Sequence, residues 1–201
     1  IPAAYLTGVG LSTLVNAYLF PVPQSVLEAF GEVMLDDELP LWQLVFFICV
    51  MPGILEELAF RGVLLHGLRK TWSPVIVCLV TGGIFGLFHV DLFRLIPTAY
   101  LGVIFAAVVL LTGSIFPVML WHFGNNAIAL VPQRMGWVTE ETVFPEWVFA
   151  IAFVALLVVF WIIWKVSTPY PDLKKTRPRE FSEIPLVLSL SPSKNALASL
   201  S

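Results

Sequence analysis

The chain has 201 residues, of which 58% are hydrophobic and only 12% charged, and its mean hydropathy is +0.89. Soluble domains contain about 25% charged residues, so this composition excludes an ordinary soluble globular protein and predicts an integral membrane protein. The formal net charge is -3, and the Lys and Arg residues form no basic patch. We therefore expect the lipid bilayer, and no nucleic acid, among its partners.

Six apolar segments follow one another along the chain. Each is close to the length of about 20 residues that a membrane-spanning helix needs. Pro21 and Pro23 end the first segment, because proline cannot continue the helical hydrogen bonds. The sequence predicts an all-α fold, a polytopic transmembrane helical bundle with about six spanning helices, at residues 3–20, 41–68, 74–90, 95–112, 115–131 and 147–166.

No linker or internal repeat divides the chain, so we expect one domain over residues 1–180, with its motifs in residues 41–131. Residues 181–201 are rich in Ser and Leu and lack the length of a further span, which favours a mobile C-terminal tail. No basic segment precedes the first apolar residues, so we predict no signal peptide and expect Ile1 to be the cut end of a longer chain.

The basic residues between the spans predict the orientation of the protein. With six spans, alternate loops share one side of the membrane, and Arg69, Lys70 and the basic residues of the tail then fall together. Arg94 and Arg134 fall on the opposite side, among acidic residues. Because Lys and Arg are enriched in cytoplasmic loops, we predict a multi-pass protein whose C-terminus is cytoplasmic.

Three charged side chains interrupt the longest apolar segment, at Glu56, Glu57 and Arg61. Each would cost about 2.5–3.5 kcal/mol at the centre of a membrane helix, so they should face protein or water and not lipid. Glu57 and Arg61 are four residues apart and share one helix face, where they can pair. Glu56 lies about 100° around the helix and has no obvious local partner. A structural ion-pair cluster is one interpretation, and a functional site is the other.

Further polar groups occur inside three neighbouring segments. His89 follows Phe85 by one helical turn, and a single histidine in an apolar helix is more often a satisfied core residue than a catalyst. His122 and Asn126 form a stronger signal, since they are four residues apart and project from one face. The amide of an asparagine can donate a hydrogen bond to a developing oxyanion.

The depths of these groups predict a shared site. At 1.5 Å per residue, Glu56, His89 and His122 lie roughly 12 to 22 Å from the cytoplasmic ends of their helices, within one slab of the membrane. A carboxylate, two imidazoles and a carboxamide in such a slab suit hydrolysis by a water nucleophile, with the glutamate as general base. His89 would hold or help activate the water, and His122 with Asn126 would stabilise the oxyanion.

The polar and aromatic residues fall into three motifs in chain order: Glu56-Glu57-x-x-x-Arg61, Phe85-x-x-x-His89 and His122-x-x-x-Asn126. These resemble the EExxxR, FxxxH and HxxxN motifs of the CPBP family, which comprises CAAX prenyl endopeptidases and bacteriocin-processing relatives regarded as intramembrane glutamate proteases. The resemblance implies that Glu56 activates water with His89 as its partner, and that His122 and Asn126 form the oxyanion site. It implies supporting roles for the remaining motif residues, Glu57, Arg61 and Phe85.

Two other functions fit the same residues. Glu and His are legitimate zinc ligands, so a zinc-dependent membrane peptidase is an alternative, although the chain lacks an HExxH motif and the family is usually treated as free of catalytic metal. A transporter-like or scaffold protein could also carry intramembrane Glu and His, but no inverted repeat is visible. We expect no cofactor, and a peptide or membrane-protein substrate, which in the prenyl endopeptidases is lipidated.

Overall fold

The computed structural model describes residues 1–28, 39–138, 144–168 and 170, and this part of the chain is helical without a strand. Its six longest helices are α1 (Pro2–Tyr18), α2 (Leu41–Leu68), α3 (Pro74–Phe88), α4 (Leu95–Thr112), α5 (Phe116–Arg134) and α6 (Glu146–Val166). They pack into one bundle, which confirms the all-α membrane fold.

The six helices correspond to the six predicted segments, and their ends differ from the predicted ones by at most three residues. Among the described residues, α2, α4 and α6 are long and apolar enough to cross a membrane, and α3 is a shorter apolar helix. The number of spans therefore stays a prediction. The predicted tail at residues 181–201 lies outside the described residues.

Local sequence explains where helices start and stop. Ser73 caps α3, because its Oγ accepts a hydrogen bond from the N–H of Ile76 at 3.5 Å, and Pro74 then occupies the first helical position. Gly113 ends α4 in the left-handed conformation, with a φ of 67° that a residue with a Cβ rarely adopts. These short connections hold α3, α4 and α5 next to one another along the chain.

The closest helix pair is α3 with α4, and glycines make the approach possible. A Cβ on Gly82 would lie 2.5 Å from a side-chain carbon of Val103, and one on Gly86 would lie 2.7 Å from the carbonyl oxygen of Leu95. A Cβ on Gly102, in α4, would in turn meet the backbone of Gly82 at 2.8 Å. Small residues allow membrane helices to pack backbone against backbone, and here the contact places the carbonyl of Gly102 beside α2.

Among the described residues, one large apolar core joins all six helices, and a smaller one lies between α2 and α5. The buried members of the large core come from α1, α2, α3, α4, α5 and α6 and include Ala4, Leu65, Val77, Phe105, Val118 and Leu156. Helix α6 is the most peripheral, since most of its large apolar side chains, such as Ile151 and Trp161, are exposed on the surface of the bundle. An exposed apolar surface of this kind fits contact with lipid.

Helix α2 is not a regular α-helix. Two sections of it, Val45–Val50 and Leu58–Leu65, have the wider turns of a π-helix, and the α-helical section Met51–Glu57 lies between them. Glu56 and Glu57 end that middle section. π-helical turns are rare and occur frequently at functional sites. The irregular backbone of α2 is therefore a second indication of a functional site near Glu56 and Glu57.

Candidate active site

Glu57 is the centre of a buried network between helices. Its side chain is 0% exposed, and its Oε1 accepts hydrogen bonds from Nη1 of Arg61 and from Nδ1 of His122, each at 2.9 Å. The contact with Arg61 stays within α2, whereas the contact with His122 joins α2 to α5. The negative charge of Glu57 is therefore paired, as a fully buried carboxylate requires.

Arg61 is held from several sides. Its Nη2 donates to the carbonyl oxygen of Gly102 at 3.0 Å, which ties α2 to α4. Its guanidinium carbon lies 4.4 Å from the ring centre of Phe85 and 5.3 Å from that of Phe105, distances at which a cation is attracted to an aromatic face. Arg61 is thus a structural cation of the bundle interior, buried together with its carboxylate partner.

Glu56, the neighbouring carboxylate, has a different environment. It lines a cavity of about 840 Å³, and the same cavity is lined by His89, His122 and Asn126. The structure thus brings the four residues predicted for the shared site to one cavity between the helices. The carboxylate of Glu56 accepts no hydrogen bond from the described residues, so it keeps its capacity to accept a proton; its Oε2 is buried without a partner, as is the Oε2 of Glu57.

His89 lies just after the last residue of α3. Its Nδ1 is 2.8 Å from the carbonyl oxygen of Phe85, and since a carbonyl can only accept, Nδ1 carries the hydrogen and donates it. The ring of Phe85 packs against His89 at 4.9 Å and against His122 at 5.7 Å, between ring centres. Phe85 thereby fixes both imidazoles, and Nε2 of a neutral His89 is left as an acceptor.

Asn126 is held by α2. Its Nδ2 donates to the carbonyl oxygen of Ile48 at 2.9 Å. In an α-helix that carbonyl would accept from the N–H four residues later, but residue 52 is Pro52, which has none. The asparagine therefore gives this carbonyl a donor that Pro52 cannot supply, and one of its two N–H groups is committed to this contact.

Sequence reasoning missed three features of the site. The partnership of Glu57 with His122 and that of Arg61 with the Gly102 carbonyl join distant parts of the chain, so no local spacing signals them. Asn125 also lines the cavity and is buried. Its position three residues after His122 places it on the same face of α5, and that spacing could have identified it.

No three His, Cys, Asp or Glu side chains come together as a possible metal site within residues 1–28, 39–138, 144–168 and 170. The group closest to a ligand set consists of Glu56, His89 and His122, which line one cavity. His122 already directs its Nδ1 to Glu57 and His89 directs its Nδ1 to a carbonyl. The zinc alternative therefore needs a direct chemical test.

Comparison with protein families decides the assignment. Residues 38–128 match the family model described as Rce1-like, a type II CAAX prenyl endopeptidase Rce1-like domain. These residues form a CAAX-protease family domain. The matched segment contains every motif residue from Glu56 to Asn126, and with them α2, α3, α4 and much of α5. Comparisons with curated proteins and with solved structures found no match.

The matched family consists of CAAX-type peptidases, which act on peptide or protein substrates in membranes. The apolar helices of the bundle agree with that location. The cavity that Glu56 lines is bordered by residues of α1, α2, α3, α4 and α5.

Proposed function

We propose that this CAAX-protease domain is an intramembrane endopeptidase that hydrolyses a peptide bond with a water molecule activated by Glu56. The observation that carries the proposal is the contrast between two adjacent carboxylates. Glu57 is paired through its Oε1 with Arg61 and His122 and does not line the cavity, whereas Glu56 lines the cavity and accepts no hydrogen bond from the described residues. A general base needs a free acceptor at the reacting centre, and Glu56 provides it.

His89 supports the same step. Because Nδ1 of His89 donates to the carbonyl of Phe85, Nε2 can accept a hydrogen bond from the water that Glu56 deprotonates. The water oxygen then attacks the carbonyl carbon of the scissile bond as its proton passes to Glu56. When the tetrahedral intermediate collapses, the C–N bond breaks and Glu56 returns that proton to the leaving amine nitrogen.

His122 and Asn126 form the proposed oxyanion site. With Nδ1 donating to Glu57, His122 can donate to an oxyanion only through Nε2, and it does so as an imidazolium. Once Glu56 has taken the proton of the water, the negative charges of Glu57 and the oxyanion balance the cations of Arg61 and His122, so the buried cluster carries no net charge. Asn126 adds the N–H that it does not use on Ile48.

We further propose that the substrate is a peptide or membrane-protein segment that carries a lipid. The cavity has a volume of about 840 Å³, and apolar side chains such as Phe47, Leu101 and Phe105 form much of its wall. Apolar pockets of this size accommodate large hydrophobic ligands. Comparing cleavage of the same peptide with and without a prenyl group tests this part; equal kcat/KM values for the two would contradict it.

In this proposal no metal or cofactor takes part, the chain crosses the membrane several times, and the C-terminus is cytoplasmic. The distribution of basic residues supports the orientation.

The test of the proposed mechanism is Glu56→Gln in purified protein, assayed with a quenched-fluorescent CAAX peptide that is prenylated on its cysteine. The substitution keeps the size of the side chain and removes the base, so kcat should fall by about 10² to 10⁴. The melting temperature should not fall, because no hydrogen bond to Oε2 is lost. The matched control is Glu146→Gln, on the exposed first turn of α6, which should keep full activity.

Two results would contradict the mechanism. One is cleavage at the wild-type rate by Glu56→Gln. The other is loss of wild-type activity on chelation with recovery on added Zn²⁺, since a metal-dependent enzyme behaves in that way.

A further inference from the structure

Asn125 is a buried polar residue that the proposed mechanism does not use. Its side chain is on α5, one turn from His122, and it lines the cavity with Glu56. It is only 7% exposed. Within the described residues it makes no hydrogen bond, and its Oδ1 is fully buried without a partner.

An unsatisfied buried amide is costly, so its retention calls for a reason. A buried polar atom left without its hydrogen bond costs about 1–3 kcal/mol, and native structures contain only a few such groups. The Nδ2 end of Asn125 is not among the fully buried atoms, in contrast to Oδ1. Since Asn125 lines the cavity, Nδ2 is the end of its amide that keeps accessible surface for a ligand there.

Asn126 already uses one of its N–H groups in a hydrogen bond within the protein, so the N–H groups of Asn125 become important for binding a ligand. One N–H of Asn126 is bound to the carbonyl of Ile48 at 2.9 Å, so this residue offers at most one donor to a ligand. Oxyanion sites work through several preorganised donors that converge on one oxygen. Asn125 and His122 are separated by about 4.5 Å along the helix axis and lie on the same face.

We propose that Asn125 is a second oxyanion donor of this active site, which binds the tetrahedral intermediate through its Nδ2. This inference rests on the proposed peptidase function and extends it, because it assigns a catalytic contact to a residue outside the three motifs. Asn126 is then partly a structural residue, tied to α2, while Asn125 is the amide with both N–H groups uncommitted.

The matched substitutions are Asn125→Leu and Asn126→Leu, which have similar volume and remove the amide in each case. In Asn125→Leu, kcat for the prenylated CAAX peptide should fall by about 10² to 10³, with KM nearly unchanged, because an oxyanion contact forms in the transition state. Its melting temperature should stay the same or rise, because an unsatisfied buried amide is removed. Asn126→Leu should lower the melting temperature, because the Ile48 carbonyl loses its donor.

A binding measurement separates this inference from the proposed function. A peptide with a phosphinate in place of the scissile carbonyl presents a tetrahedral anion, and its affinity for Asn125→Leu should fall by the same factor as kcat, while the affinity of the parent peptide is kept. If Glu56→Gln retains full turnover but Asn125→Leu loses phosphinate affinity, the proposed base is wrong and the donor role stands.

The inference is overturned if Asn125→Leu keeps the wild-type kcat and phosphinate affinity. It is also overturned if activity and melting temperature fall together, as expected for a structural residue. Asn125→Ala provides the second variant, and it should reproduce the loss of kcat and of phosphinate affinity even where the leucine does not fit the site.

Discussion

The contact between α3 and α4 leads to a quantitative prediction for Gly82→Ala. The added Cβ would lie 2.5 Å from Val103 Cγ2, 2.7 Å from the Val103 nitrogen and 2.9 Å from the Ala99 oxygen. Two of these atoms belong to the backbone, so no side-chain rotation relieves the overlap and the helices must separate. Overpacking of this kind costs about 1–3 kcal/mol, and at about 2–4 °C per kcal/mol the melting temperature should fall by about 2–12 °C.

The next residue along the helix provides the control. A Cβ on Gly83 would meet nothing within 4 Å, and alanine is favoured over glycine in a helix by up to about 1 kcal/mol. Gly83→Ala should therefore match or exceed the wild-type melting temperature, measured by tryptophan fluorescence of the detergent-solubilised protein. Equal melting temperatures for the two variants would refute the close-packing argument.

Two further predictions concern the charges. Arg61→Leu removes the cation that pairs with Glu57 and the donor of the Gly102 carbonyl, so it should destabilise the protein by about 3–5 kcal/mol. The loss should shrink in a Glu57→Gln background, and an undiminished loss in the double variant would contradict the ion-pair reasoning. The control, Lys70→Leu at an exposed position, should be nearly neutral. The second prediction tests the orientation with Ser114→Cys in a variant that lacks Cys49 and Cys78. The new cysteine should react with a membrane-impermeant maleimide only from the cytoplasmic side. Labelling from the opposite side would reverse the proposed orientation.

Much of the architecture could be predicted because it is encoded locally. The apolar length of a span, the prolines at helix starts and Gly113 at the end of α4 all act within a few residues, and α2 and α4 begin and end at the predicted residues. The contact between Glu57 and Arg61 also follows from their spacing of four and is present at 2.9 Å. Patterns of this kind need no knowledge of how the helices pack.

The remainder depends on contacts between distant segments. The bond from Asn126 to the Ile48 carbonyl joins residues 78 positions apart, and the bond from Arg61 to Gly102 joins residues 41 apart. Neither has a sequence signal, although the missing N–H of Pro52 indicates in hindsight that the Ile48 carbonyl needs a donor. The catalytic roles of Glu56, His89, His122 and Asn126 stay predictions, and so does the single-domain extent of residues 1–180.

The division of hydrogen bonds around Arg61 has a consequence for biogenesis. Helix α2 is synthesised before α4 and α5, so it enters the bilayer before Gly102 and His122 exist to satisfy its charges. During that interval Glu57 and Arg61 can pair only with each other, and this pairing within one helix offsets part of the cost of inserting two charged side chains. The arrival of α4 supplies the Gly102 carbonyl to Arg61, and the arrival of α5 supplies His122 to Glu57, so the buried charges gain these partners in the order in which the helices are synthesised.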